Sequence, residues 1–487
     1  MERVPRVPRG HRRRVVDRQS HLGGAEPADA TSIGGAYAGD AHAVLRRQDG
    51  ISRHRLAALD ATTMSRSERA TVLAVVAFVA MAAVVTLRTW HNVNVPGHPE
   101  LPRYGLHDFR DVLYYPARAM LDGRNPYAAD TYQPAYPVAR PLAPYAPTTL
   151  LLHAPFAVIP YPTARWLHYA MNLALILVLA RICLRECGIP ATSALTFGLG
   201  ALLLATRPAH MTLYIGQCTI YVVIGAYLAL QYAQRRPWVA GLGLALACIK
   251  PTYGAPLALV MLVRRDFRAL AVGIAVTAVL LAIICGILVV EAGGVAPLVV
   301  SFRESYTRLL EDTSANPTSS IIRLDVVALA ARLLRHELAP KAETAISLTV
   351  LVIGLWSIWL VHGTPLDERR LLSTTIASLT TLAFTYHQAY DGLLLALPAV
   401  ALWTADDRVG IGRAAPFLLR CVVLALMFVP ALNYGATETL IHAVGLNSEH
   451  GLWRLITSAN SVAVTGALMV CVWATIRASA PPRLARA

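Results

Sequence analysis

Five ionisable side chains stand where an apolar chain has least reason to keep them. Asp108 and Asp111 lie in "HDFRDVLYYPARAMLDGRNPY", Lys250 in "CIKPTYG", and His387 and Asp391 in "TYHQAYDG". A carboxylate beside a hydroxyl can take its proton as a general base. Asp108 and Asp111, three residues apart, share a helical face, so either could serve. A lysine at membrane depth is costly unless it meets water or an anion, and phosphate is the anion that suits it best. His387 and Asp391 are spaced to orient one another or share a proton. Tyr115, Arg118, Gln217 and Asn316 stand in neighbouring polar clusters, and their hydroxyl, guanidinium and amide groups suit a phosphate or a sugar. Each residue also has a bland reading: a snorkelling lysine, a satisfied His–Asp pair, a solvated charged face.

The elements that must position these residues are membrane helices. The chain of 487 residues is 55% hydrophobic and 15% charged. Apolar runs about long enough to cross a hydrocarbon core recur from Ala70 almost to the C-terminus. They predict an all-α, polytopic helical bundle with spans near 70–87, 163–183, 192–207, 217–233, 267–290, 344–362, 370–385, 389–404, 415–432 and 456–477. Between Arg236 and Arg264 the chain has room only for two short helices or a re-entrant hairpin, with Lys250 and Pro251 at its tip. The expected total is about 12 crossings. The segment 147–160 is short for a span and fits the interface.

Net charge is +15. Much of it lies in the N-terminus and in short basic loops, where Lys and Arg fix topology rather than bind nucleic acid. Arg66 and Arg69 place the start of the first span in the cytoplasm. Threading onward through Arg235-Arg236, Arg264-Arg265, Arg369-Arg370 and Arg408 with Arg413 leaves 90–146 and 291–343 as outer loops. All five polar clusters then fall on the outer face. Residues 1–63 show no helical or strand period and read as a disordered cytoplasmic tail, or as an over-extended start ahead of Met64. The membrane domain is 64–480, and 481–487 is a cytoplasmic tail. The seven cysteines fall in or beside apolar runs with no metal pattern.

The opening stretch predicts an amphipathic helix on the outer membrane surface. Phe109, Val112, Leu113, Ala117 and Met120 form its apolar stripe. Asp108, Asp111, Tyr115, Arg118 and Asp122 form the opposite, polar one. Pro116 should kink it.

The ordered set of short motifs resembles glycosyltransferase family 87. It runs from Asp108-Phe109 with Tyr114-Tyr115 and Ala117-Arg118, through Gly123-Arg-Asn-Pro-Tyr127 and Tyr145-Ala-Pro147. Gly216-Gln217, Lys250-Pro251-Thr252 and Tyr386-His387 with Tyr390-Asp391 complete it. Tyr145-Ala146-Pro147 stands for the family's usual Tyr-Pro-Pro, and Thr219 for a frequent Asn after Gly-Gln. The resemblance implies a GT-C fold in the plasma membrane. It implies transfer of a mannosyl or arabinofuranosyl unit from a polyprenyl-phosphate donor to a lipid-linked or cell-wall glycan on the outer face. Asp108 matches the family's loop aspartate and is the expected base. Lys250, His387, Asp391, Arg118, Tyr115, Gln217 and Asn316 are expected at the donor phosphate or sugar. No cofactor, metal or nucleic acid enters this scheme; membrane lipid does. Two rival readings remain, a lipid or sugar transporter and a non-catalytic envelope assembly protein.

Overall fold

A computed structural model describes residues 64–94, 105–139, 145–311, 315–361, 366–404, 417–447 and 449–479. The expectations for 1–63, for the basic loop at Arg408 and Arg413, and for 481–487 fall outside them.

From Arg66 onward the described chain is helical. Among the described residues six helices are long and apolar enough to cross a membrane: α1 (Arg66–Asn94), α4 (Tyr161–Glu186), α10 (Phe267–Glu291), α13 (Pro340–Leu360), α16 (Phe417–Leu432, which reaches that length with its 3-10 continuation to Ala436) and α17 (Gly451–Ser479). Between them run shorter helices: α2 (Tyr115–Leu121), α3 (Thr148–Ala157), α5 (Ser193–Leu204), α6 (Arg207–Ile215), α7 (Thr219–Tyr232), α8 (Pro237–Ala247), α9 (Pro251–Val263), α11 (Val295–Glu311), α12 (Val326–Leu334), α14 (Leu366–Phe384) and α15 (Ala396–Thr404). Every predicted span falls on a helix. At about 1.5 Å per residue, however, α5, α7, α8 and α9 are too short to span about 30 Å alone. The protein is thus an all-α polytopic membrane protein whose centre is built from short helices that turn inside the bundle.

Burial sorts the long helices. In α1 and α10 only 17% of the apolar window is buried, whereas in α17 it is 50%. Leu73, Leu87 and Val290 accordingly point outward to where lipid would lie. The short helices are the core: α7 is buried along almost its whole length. α7 and α8 meet backbone to backbone, and a Cβ on Gly243 would lie 2.6 Å from the Gly225 carbonyl oxygen. Small residues of this kind let membrane helices approach closely.

The opening stretch is not the surface helix its pattern predicts. Residues Phe109–Tyr114 form a π-helical turn, and α2 follows. The Tyr115 N–H bonds back to the Arg110 carbonyl, five residues earlier. Pro116 has no N–H with which to continue an α-helix at that point, so the wider turn absorbs the break. The polar stripe is therefore divided. Asp108 and Asp111 are buried along with Phe109 and Leu113, and only Arg118 and Asp122 reach the surface.

Candidate functional site

The site grows from two left-handed turns that face each other. Leu106 adopts φ 59° and Gly216, which ends α6, adopts φ 75°. The Leu106 N–H donates to the Tyr214 carbonyl at 2.8 Å. A Cβ on Gly216 would sit 2.7 Å from the Phe109 Cβ, so only glycine fits this turn and this approach. The two turns set Gln217 against Asp108.

Gln217 is oriented by its surroundings. Its Oε1 accepts from the Cys218 N–H at 2.8 Å and from the Tyr145 hydroxyl at 3.2 Å. Burial pushes the Tyr145 phenol well above its ordinary range, so it stays a donor. The amide nitrogen is left facing Asp108 and donates to Oδ2 at 2.7 Å. His107 Nε2 lies 3.0 Å from Asp108 Oδ1. Asp111 is different: it accepts from Arg110 Nε at 2.6 Å and Nη2 at 3.2 Å, and is almost fully buried. Burial raises its pKa, and the Arg110 hydrogen bond opposes that rise.

Two residues beyond Gln217, the network continues. Lys250 Nζ donates to Thr219 Oγ1 at 2.9 Å and to Asp391 Oδ1 at 3.0 Å, and lies 4.5 Å from the centre of the Tyr390 ring. Asp391 Oδ1 also accepts from the Tyr253 hydroxyl at 3.0 Å. Its Oδ2 accepts from the Gln388 N–H at 3.1 Å and lies 3.1 Å from His387 Nδ1. Both Asp391 oxygens are thus engaged, and it serves as an anchor. It holds the His387 proton on Nδ1 and turns Nε2 away; Nε2 is buried and has no hydrogen-bond partner among the described residues. This is the arrangement that presents an imidazole to a ligand.

Two expectations gain detail. Lys250, expected at the tip between two short helices, is the N-cap of α9 and is paired with Asp391. His387 and Asp391 do meet, but on an extended segment that enters a 3-10 turn, Ala389–Leu395, and not on an α-helix. An antiparallel bridge from Arg323 to Gln388 holds that segment, with the Leu324 N–H donating to the His387 carbonyl at 3.0 Å.

Asp108, Gln217, Lys250, His387 and Asp391 therefore join one connected array, with Asp111 packed beside it. Arg118, Tyr115 and Asn316 lie apart. Arg118 pairs with Asp122 at 3.0 Å on the surface. Burial opposes the Asp122 carboxylate, but hydrogen bonds from Arg118 and Tyr136 hold its pKa below the usual value. Tyr115 packs among Tyr114, Tyr136 and Tyr161. Asn316 shapes its own turn, with Oδ1 accepting from the Thr318 N–H at 2.9 Å. Sequence reasoning missed Tyr253 and His107 as members. Each sits within three residues of a residue it singled out. Among the described residues no group of three or more His, Cys, Asp or Glu side chains is placed to hold a metal.

The class defined here is a polytopic membrane protein with a buried polar site at the junctions of short helices. The model of glycosyltransferase family 87 matches residues 144–385, about half of the chain, and the chain belongs to that family. Gln217 and Lys250 lie within the match; Asp108, His387 and Asp391 lie outside it. Two curated relatives, both named alpha-(1->3)-arabinofuranosyltransferase and from two strains of Mycobacterium tuberculosis, are each 31% identical over 177 residues. That alignment covers 35% of this chain and 39% of each relative. No solved structure matches.

Proposed function

We propose that the protein is an integral-membrane glycosyltransferase of the plasma membrane. It moves a mannosyl or arabinofuranosyl unit from a polyprenyl-phosphate donor to a cell-envelope glycan or glycolipid on the outer face. The name of the two relatives favours the arabinofuranosyl unit. The observation that carries the reading is the array in which an oriented aspartate, Asp108, is held by Gln217, and Tyr145, whose hydroxyl bonds Gln217 and whose ring centre lies 5.8 Å from Lys250 Nζ, joins that pair to Lys250, Asp391 and His387.

Asp108 takes the proton of the acceptor hydroxyl as that oxygen bonds to the anomeric carbon. The bond from the anomeric carbon to the donor phosphate breaks, and the phosphate oxygen leaves with the electron pair. The positive field of Lys250 stabilises the leaving phosphate, and the lone pair of His387 Nε2 accepts from a sugar hydroxyl. Asp391 positions both. Asp111, neutralised by Arg110, shapes the turn that carries Asp108. The grouping of these residues at helix junctions, and not along helix midsections, favours chemistry at one face over a transport path.

The test is transfer in membranes supplied with radiolabelled polyprenyl-phosphate mannose or polyprenyl-phosphate arabinofuranose, side by side. One donor should be used, and Asp108→Asn should lower its turnover by about 10²–10⁴-fold, the usual contribution of a base. Asp111→Asn should do much less. Activity retained in Asp108→Asn and abolished in Asp111→Asn would transfer the role. No turnover with either donor would return transport or assembly to first place.

A further inference from the structure

A second cationic cluster lies on α6, the helix that ends at Gly216; Pro208 of α6 packs against Gly392, next to Asp391. Arg207 opens α6 and is only 3% exposed. Its Nη2 donates to the Ala436 carbonyl at 2.5 Å, while its Nη1 is buried with no hydrogen-bond partner among the described residues. One turn along α6, His210 is also buried, and its Nε2 lies 3.0 Å from Arg88 Nη1. The guanidinium can only donate, so Nε2 accepts and the imidazole is neutral. Arg88 comes from α1, is exposed, and lies 4.9 Å from the centre of the Tyr214 ring. Tyr434 closes the group, with its ring 6.2 Å from His210 and its hydroxyl donating to the Ala205 carbonyl at 3.0 Å.

Charge balance makes the cluster unusual. Among the described residues no carboxylate pairs with Arg88, Arg207 or His210. A buried charge without a partner is strongly unfavourable unless an anion supplies one. Burial lowers the pKa of Arg207 to about 10, and burial with the Arg88 charge lowers that of His210 to about 4. Burial is the larger cause of both shifts, and among the described residues no carboxylate opposes either. The access side is lipid. Arg88 sits between exposed Leu87 and Trp90 near the end of a helix long enough to cross the membrane. An arginine and a tryptophan at that position belong to the interface, where lipid phosphates lie.

We propose that Arg88, Arg207 and His210 form an anion site that holds the phosphate headgroup of a membrane lipid. The phosphate accepts from Arg207 Nη1 and from Arg88, and the neutral His210 orients Arg88 by accepting at Nε2. The site depends on the membrane placement of α1 and not on glycosyl transfer, so it stands or falls separately from the proposed activity.

Dodecyl phosphate is the probe, titrated into the full chain in a neutral maltoside detergent, with dodecanol and inorganic phosphate as separate arms. Binding is read by thermophoresis and by the shift in Tm. Dodecyl phosphate should bind and raise Tm, and dodecanol should not. Arg207→Gln and Arg88→Gln should each weaken binding about tenfold, the loss of one charge-assisted contact, and Arg207→Lys should recover part of it. Equal binding of inorganic phosphate would keep the anion site and make free phosphate its source. Should Arg207→Gln fail to fold, Arg88→Gln, at an exposed position, decides alone. Dodecanol binding as well as dodecyl phosphate, or binding unchanged in Arg88→Gln, would overturn the proposal.

Discussion

Lys250–Asp391 and Arg118–Asp122 are ion pairs with the same 3.0 Å separation, and they do opposite things. The first is enclosed, with both side chains 5% exposed; in the second the side chains are 44% and 32% exposed. Water screens the surface pair and leaves it little net effect. The enclosed pair cannot lose one member without leaving the other uncompensated. In the sequence, Lys250 and Arg118 are equivalent candidates for a phosphate. In the structure one is woven into a five-membered array, and the other is tied to its neighbour one helical turn away. Separation does not rank ion pairs; what surrounds them does.

That contrast can be broken in four ways. Lys250→Met should cost about 3–5 kcal/mol, because it strands Asp391 in an enclosed site; thermal unfolding in detergent measures it. The double variant Lys250→Met/Asp391→Asn should recover most of that loss while remaining inactive. If the single variant is as stable as the parent, the pair is not enclosed as described. Gly216→Ala comes next, at about 1–3 kcal/mol, from the left-handed backbone and the clash with Phe109. It should also lower transfer by displacing Gln217 from Asp108, and a normal rate in a normally folded variant would disconnect the turn from the site. Arg118→Ala should change stability by less than about 1 kcal/mol. A larger loss in Arg118→Ala than in Lys250→Met would invert the ranking.

Much of the architecture was legible because apolar run length and basic loops are one-dimensional signals. The predicted spans near 163–183 and 267–290 became α4 and α10. Lys250 at a tip, and His387 with Asp391 as partners, were also readable, since each depends on local spacing. What was not legible depends on contacts distant in sequence. Asp108 meets Gln217 across 109 residues, and Lys250 meets Asp391 across 141. No periodicity carries such information. The stretch 108–122 misled for a different reason. Its 3, 4, 3, 4 pattern assumes an unbroken α-helix, and the π-turn ahead of Pro116 invalidates the wheel after one turn. The burial of Asp111 is hidden for another reason: the Arg110 that neutralises it sits next to it in sequence, off the expected stripe.

The paired left-handed turns at Leu106 and Gly216 have a practical meaning for protein engineering. Asp108 is fastened to the end of α6 through the Leu106–Tyr214 hydrogen bond and the Gln217 amide, before the chain continues into its long polar loop. Asp108 is moored upstream of the loop and does not hang from it. The loop itself is pinned by buried Asn125, Tyr127 and Tyr132, so only exposed positions such as Thr131, Pro134 and Ala135 can be varied, as one would edit a recognition loop on a fixed frame, while the aspartate keeps its place.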